Sequence, residues 1–268
     1  LADITVRALK VLALVDAVAC EDTRNTGQLM SRYGLDKTLF AAHQHNEREV
    51  AQKIVERLRA GERIALVSDA GTPAVSDPGA RIVDAVVDAG LRVIPIAGPS
   101  AAIAALSASG LVADQFHFIG FLPSKDKQRD TVLASLASSA ATLVFYEAPH
   151  RIEALAQALS QLGSRLITVG RELTKQFETV HTVPAHQLPA WFAEKADHVR
   201  GEFALVVHAL DKPTQDISEA LDADSLRTLK LLLTELPLKT AVKLTSDITG
   251  ASKNVVYDTA LNLKKGLD

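Results

Sequence analysis

The 268 residues are 47% hydrophobic and 23% charged, a globular composition long enough for two domains and a sizeable core. A net charge of −3 excludes a general polyanion binder, and 4% aromatics are too few for a broad base-stacking platform. The single cysteine, Cys20, excludes an intrachain disulfide and a thiolate zinc cluster. No apolar run reaches the length of a membrane span, and the N-terminus lacks a basic-then-apolar leader pattern, which predicts a cytoplasmic protein with no membrane partner.

In chain order, Ala2 to Leu14 predicts a helix capped by Asp3 or Thr5, and Val15 to Cys20 a short strand. Asn25 to Tyr33 predicts a helix stopped by Gly34, and Leu39 to Ala42 a strand. Val50, Ile54, Val55 and Leu58 then mark one face of a helix that ends at Gly61. Ile64–Val67 predicts a strand that runs into a turn of small and acidic residues, Ser68 to Gly79. Asp77 is the expected cap of the next helix, with Pro78 in its first turn. That helix buries Ile82, Val83, Val86 and Val87. Leu91–Ile96 predicts another strand, and Ala97-Gly98-Pro99-Ser100-Ala101 opens a helix closed by Gly110. This βα alternation predicts a mostly parallel sheet with helices on both faces.

Leu111 to Gln115 is the expected domain junction. Beyond it, Phe116–Phe121 predicts a strand, 122–129 a basic loop, and Thr142–Tyr146 a strand after an intervening helix. Ile152, Leu155, Leu159 and Leu162 form one helical stripe. Three strand candidates follow at Leu166–Val169, Glu178–Val183 and Phe203–His208. Fewer helices separate them, so a mixed sheet is expected. Asp211 to Thr214 reads as a linker. Leu226, Leu229, Leu233 and Leu236 then have helical spacing, broken by Pro237. Ala241, Leu244 and Ile248 form a second helix, and Gly250 and Ser252 lead into a third. This helix-turn-helix-like tail holds seven basic and three acidic residues between Arg227 and Lys265. It is either a packing appendage or an RNA contact. The expected domains are 1–112, 113–212 and 213–268: two α/β domains and a small helical one.

Two junctions, at 68–79 and 97–101, place small residues where strands meet helices, at the sheet edge on which open α/β folds bind ligands. Each alone is an ordinary turn; together they favour a pocket for a flat ligand held by main chain. Glu21-Asp22-Thr23-Arg24 ends a strand on the same edge. It either orients a hydroxyl or phosphate, or is a salt-bridged helix start capped by Thr23. His43-Gln44-His45-Asn46 is either a plain loop before a helix, the commoner case, or a contact that suits a ribose or phosphate better than a metal, since no cysteine or third ligand accompanies it. Glu147, His150 and Arg151 lie within five residues at another strand end; a structural Glu147–Arg151 pair is the alternative. Gly170-Arg171-Glu172-Leu173-Thr174-Lys175 and Gly201-Glu202-Phe203 are charged turns of lower specificity. The chain carries no G-x-S-x-G elbow, P-loop or H-E-x-x-H helix.

Taken in order, EDTR (21–24), HQHNE (43–47), LVSDAGTPAVSDPG (66–79), PIAGPSA (95–101), FIGFLP (118–123), FYEAPHRI (145–152), GRELTK (170–175) and GEF (201–203) resemble the ribosomal RNA small subunit methyltransferase I family of the tetrapyrrole-methylase superfamily. The resemblance covers nearly the whole chain. It implies two α/β domains of the tetrapyrrole-methylase type with S-adenosylmethionine (S-adenosyl-L-methionine) in the cleft between them, and a homodimer. The implied activity is 2′-O-methylation of a decoding-centre cytidine in the 16S rRNA of the small ribosomal subunit. Members of that family usually carry a strand and an A-T-P-I-G-N loop ahead of the L-A-D-I-T found here at residues 1–5. That strand is expected to pair into the first sheet and line the cofactor cleft.

On this reading Asp69, Ala70, Gly71, Val75, Ser100, Ala101, Tyr146 and Leu173 hold the cofactor, largely through backbone. Glu21, Asp22 and Glu147 are candidates to accept or orient the 2′-hydroxyl. Arg24, His43, His45, His150 and Arg151 are expected to hold phosphates or the cytidine. Two alternatives stay open: a methyltransferase for a porphyrin-like substrate, and a non-catalytic ribosome- or RNA-binding protein.

Overall fold

The computed structural model describes residues 2–44, 46–111, 115–210 and 221–265. His45, junction residues 112–114 and the linker expected at 211–214 lie outside the described residues. The chain divides into two units, Leu1–Leu210 and Asp211–Asp268.

The first unit begins with α1 (Val6–Leu14), β1 (Ala17–Cys20), α2 (Thr23–Arg32), β2 (Thr38–Ala41), α3 (Glu47–Arg59), β3 (Ile64–Val67), α4 (Ala80–Asp88) and α5 (Ala101–Ala108). Helix α1 starts where the Thr5 hydroxyl accepts from the Ala8 N–H at 3.1 Å. Helix α2 starts two residues earlier than expected because Asp22, not Thr23, caps it, its Oδ1 accepting from the Arg24 N–H at 2.8 Å. The three strands pair in parallel in the order β2-β1-β3. β1 is central and buried along its whole length, as a two-faced parallel strand must be. Val18 and Cys20 pack with Leu12 and Met30 on one face, and Ala19 packs with Val50, Ile54, Ile82 and Val86 on the other.

Two expectations need correction. Leu91–Ile96 is not a strand: no described strand pairs with it, and Val93 and Ile94 are exposed. Apolar alternation alone does not make a strand without a ladder partner. Asp77 does not cap α4. Gly79 is the N-cap, at φ +128°, and the N–H groups of Gly79 and Arg81 donate instead to Glu47 Oε1 at 2.7 and 3.1 Å. The first residue of α3 thus satisfies the start of α4 from 32 positions away.

The second half of this unit comprises β4 (Phe116–Phe121), α6 (Asp126–Leu136), β5 (Thr142–Glu147), α7 (Ile152–Leu159), β6 (Leu166–Arg171), β7 (Thr179–Pro184), α8 (Leu188–Ala193) and β8 (Phe203–Val207). Helix α6 begins inside the stretch expected to be loop, with Asp126 in its first turn paired to the buried Arg129 at 3.0 Å. The strands form one mixed sheet, β4-β5-β8-β6-β7, in which only β4 and β5 are parallel neighbours. Alternation along the strands sends Leu143, Phe145, Ile167, Leu205 and Val207 to a core shared with α7 and α8. Val144, Ala204 and Val206 face the other way, where Ala102 and Ala105 let α5 lie close on the sheet.

The second unit contains α9 (Ala223–Glu235), α10 (Leu238–Thr249) and α11 (Lys253–Lys265) around Leu229, Val242, Val256 and Ala260. Asp222 caps α9, accepting from the Ser225 N–H at 2.8 Å. Pro237 separates α9 from α10, and Gly250 ends α10 in the left-handed region at φ +74°.

Candidate functional site

A cavity of about 280 Å³ opens within the first unit. Its walls come from the turn after β3, the start of α5, the carboxyl ends of β4, β5 and β6, and the start of β8. Ala70, Gly71, Val75, Ser100, Ala101, Tyr146 and Leu173 all line it, so residues more than one hundred positions apart converge as the motifs anticipate.

The turn after β3 is strained and braced. Ala74 and Ser76 sit at φ +69° and +62°, a region costly for residues with a Cβ. The Ala74 N–H donates to Pro78 O at 3.1 Å, the Val75 N–H to Thr72 O at 3.1 Å, and Thr72 Oγ1 to Pro99 O at 3.5 Å. The last bond ties this turn to the start of α5. Ser76 packs against Gly120, where a Cβ would meet the Ser76 hydroxyl at 3.0 Å. Gly120 sits at φ +71° beside an irregularity of β4, and glycine there lets the turn cross onto the second sheet.

On the opposite wall the Tyr146 hydroxyl accepts from the Ala102 N–H at 2.9 Å, fixing the first turn of α5 to β5. Its ring meets Phe118 and Phe121 edge-on at 5.0 and 5.7 Å. Glu147 is buried. Its Oε1 accepts from the Ala148 N–H at 2.9 Å and pairs with Arg151 Nε at 3.2 Å, while its Oε2 has no hydrogen-bond partner among the described residues. Gly170 and Leu173 complete the wall. Beside them Lys175 bridges Glu172 and Glu202 at 2.8 and 2.9 Å, and Glu172 Oε1 also accepts from the Glu202 N–H at 2.9 Å.

The carboxylates differ in their commitments. Hydrogen bonds from the Arg24 side chain and then its N–H hold Asp22 down to about 2, so it is an ionised cap and a poor base. Asp69 lies outside the cavity, its Oδ2 accepting from Asn25 Nδ2 at 2.7 Å. Its N–H makes a long 3.5 Å contact with Glu21 Oε2. Asp77 lines the cavity, and its side chain lies over the Gly71 turn. Burial first, then the charges of Glu21, Asp69 and Glu202, push its carboxyl up to about 6 against a hydrogen bond with Ser68.

The other expected residues are dispersed. Arg24 lies with Asp69 on a second, more open groove of about 900 Å³ along α2. His43 is half-buried after β2, its N–H donating to Asn46 Oδ1 at 2.9 Å, and His150 is exposed after β5. Neither lines either cavity. Arg151 Nη2 donates to Leu122 O and Pro123 O at 2.6 and 3.3 Å, so its guanidinium fastens the chain after β4 to the end of β5. Asp77, expected as a helix cap, is instead part of the cavity wall. The signal available was a second acid, eight residues after Asp69, in a turn of small residues.

Two sheets whose strand ends and following turns share one cavity are the architecture of a methylase of the tetrapyrrole type. Residues 1–189 match the family described as Tetrapyrrole (Corrin/Porphyrin) Methylases, and residues 219–264 match the RsmI C-terminal HTH domain. The solved methyltransferase CobJ shares the fold with a TM-score of 0.57 at 18% identity, covering 77% of this chain and 88% of that one. Among curated proteins, the ribosomal RNA small subunit methyltransferase I of Escherichia coli O157:H7 is 47% identical over 97% of this chain and 91% of its own length. The protein of the same name from Vibrio cholerae serotype O1 is 48% identical over 96% and 89%. The chain belongs to the ribosomal RNA small subunit methyltransferase I family, within the tetrapyrrole methylases.

Proposed function

We propose that this chain methylates the ribose 2′-oxygen of a decoding-centre cytidine in the 16S rRNA of the small ribosomal subunit, as a cytoplasmic homodimer that uses S-adenosylmethionine. The observation that carries this reading is the gathering of Ala70, Gly71, Val75, Ser100, Ala101, Tyr146 and Leu173 around one cavity. These residues fit the cofactor. Small side chains leave backbone polar groups accessible, and the buried Glu147 Oε2, without a hydrogen-bond partner among the described residues, can accept from a bound molecule. When bound, the cofactor supplies an electrophilic methyl group on a sulfonium.

The chain's own part is to hold and orient. Main-chain groups at 70–71 and 100–101 grip the cofactor, while Tyr146 keeps α5 in place beneath it. Leu173 and Phe121 contribute apolar surface to the wall. Glu21 faces the incoming sugar, and Arg24, on the open groove, meets a neighbouring phosphate with a side chain 84% exposed. Holding the hydroxyl at near-attack distance can remove up to about 7–11 kcal/mol from such a barrier. The basic residues of the helical unit are assigned a supporting RNA contact.

The test is incubation with labelled S-adenosylmethionine and undermethylated small subunits, followed by mapping of the modified nucleotide. Label on one cytidine 2′-oxygen is the expected result. Label on a porphyrin-like substrate, with none on the subunit, would replace this reading by the tetrapyrrole one. A calorimetric titration giving no heat with the cofactor would replace it by a binding module, and sedimentation reads the dimer directly.

A further inference from the structure

Resting on that functional reading, we propose that Asp77 is the group that accepts the proton of the hydroxyl undergoing methylation. Four independent features of the turn after β3 converge on this residue. Its position suits a helix cap, yet the capping bonds are made by Glu47, which leaves the Asp77 carboxylate free of that duty. Ala74 and Ser76, both left-handed, bend the chain just ahead of it, and such strain persists only where surrounding contacts over-determine it. The turn is held from the second sheet at Gly120 and from α5 at Pro99. The side chain itself stands in the cavity wall among the residues assigned to the cofactor.

The surroundings suit a base. Glu21 after β1, Ser68 and Asp69 after β3 and Glu202 ahead of β8 act on Asp77 directly. Glu147 at the end of β5, and Glu172 and Lys175 between β6 and β7, line the same cavity. Lys175 is already shared between Glu172 and Glu202. Asp77 is therefore more basic than an ordinary aspartate, at about 6, yet still ionised at neutral pH, the range in which a carboxylate takes a proton most effectively. Asp22, held down to about 2 by Arg24, has no comparable basicity. In the transfer the hydroxyl oxygen gains the methyl carbon as the carbon–sulfur bond breaks. The bonding pair stays on sulfur, and the hydroxyl proton ends on the Asp77 carboxylate, from which it passes to solvent.

The experiment measures single-turnover methylation of small subunits from pH 5 to 8 at saturating S-adenosylmethionine, for the wild type and Asp77→Asn. Cofactor binding is followed by calorimetry. The wild-type rate is expected to fall about tenfold per pH unit below about 6, and Asp77→Asn to lose about a hundredfold or more at pH 7.5. The variant should also lose the acid limb while binding the cofactor as before. Carbon-13 carboxyl spectra of the cofactor-free protein should show one aspartate titrating near 6 that is missing from the variant. An unchanged rate with the acid limb retained overturns the assignment. So does loss of cofactor heat in Asp77→Asn, which would make the residue a cofactor ligand. The wild-type profile tests the idea without any variant, since absence of an acid limb near 6 is also fatal to it. A wild type that binds the cofactor but labels no subunit RNA defeats the functional reading instead.

Discussion

Replacing Asp77 by asparagine should make the protein more stable at neutral pH while it slows the reaction. Asparagine keeps the size and removes a charge that the cavity holds against burial and against Glu21, Asp69 and Glu202. The folded carboxyl sits at about 6, against an ordinary aspartate value of 3.8. A rise of that size corresponds to roughly 3 kcal/mol. The group is only part-buried, so solvent screening reduces this to about 1–2 kcal/mol. The folded state binds the extra proton, so wild-type stability falls as pH rises from about 4 to about 6 and stays low above that. The gain from Asp77→Asn should therefore be full at pH 7.5, smaller at pH 5 and absent near pH 4. Urea unfolding followed through Trp191, the single tryptophan and a member of the second-sheet core, reads it directly. A variant no more stable at pH 7.5, or equally stabilised at pH 4 and pH 7.5, would refute the electrostatic description of this cavity.

Three further outcomes follow from the same geometry. Glu47→Ala strips two N–H groups at the start of α4 of their buried acceptor and should cost about 2–3 kcal/mol in urea unfolding; Glu47→Gln, which keeps an acceptor, should cost clearly less. Gly170→Ala puts a methyl 2.9 Å from Leu173 Cδ1 and pushes that side chain towards the cavity. A strain of about 1–2 kcal/mol weakens cofactor binding about tenfold in calorimetry, with far-UV circular dichroism unchanged. Asp16 is held down to about 2 by hydrogen bonds from the Arg63 side chain and backbone, the reverse of Asp77. Its contribution is complete above about pH 4 and is lost as pH falls towards 2, so Asp16→Asn should flatten that part of the stability profile.

Much of the fold is legible in local pattern. Strands 64–67 and 116–121 and the stripe Ile152, Leu155 and Leu159 match the observed elements because their periodicity reports burial on one face or two. The small residues of the cavity wall are legible only jointly: the turns at 68–79 and 97–101 are each ordinary alone, and both line the cavity. Three features were not. Leu91–Ile96 has the composition of a strand, but a strand exists only in its ladder, and no described neighbour supplies one. Asp77 has the spacing of a cap, but the donors it would satisfy are taken by a residue thirty positions earlier in the chain. Glu147 and Arg151 read as either free reagents or a structural pair; the fold makes the pair, at 3.2 Å, and also spends Arg151 on the carbonyls of Leu122 and Pro123.

By itself the order of residues determined which segments are helix or strand, which faces are apolar and which turns are small enough to admit a ligand. These are properties of a few adjacent side chains. Which acid caps, which is pinned by an arginine and which stands basic in a cavity was decided only when the chain closed on itself. A carboxylate's role depends on the donors and charges within a few ångströms, and here those come from positions 21, 69 and 202.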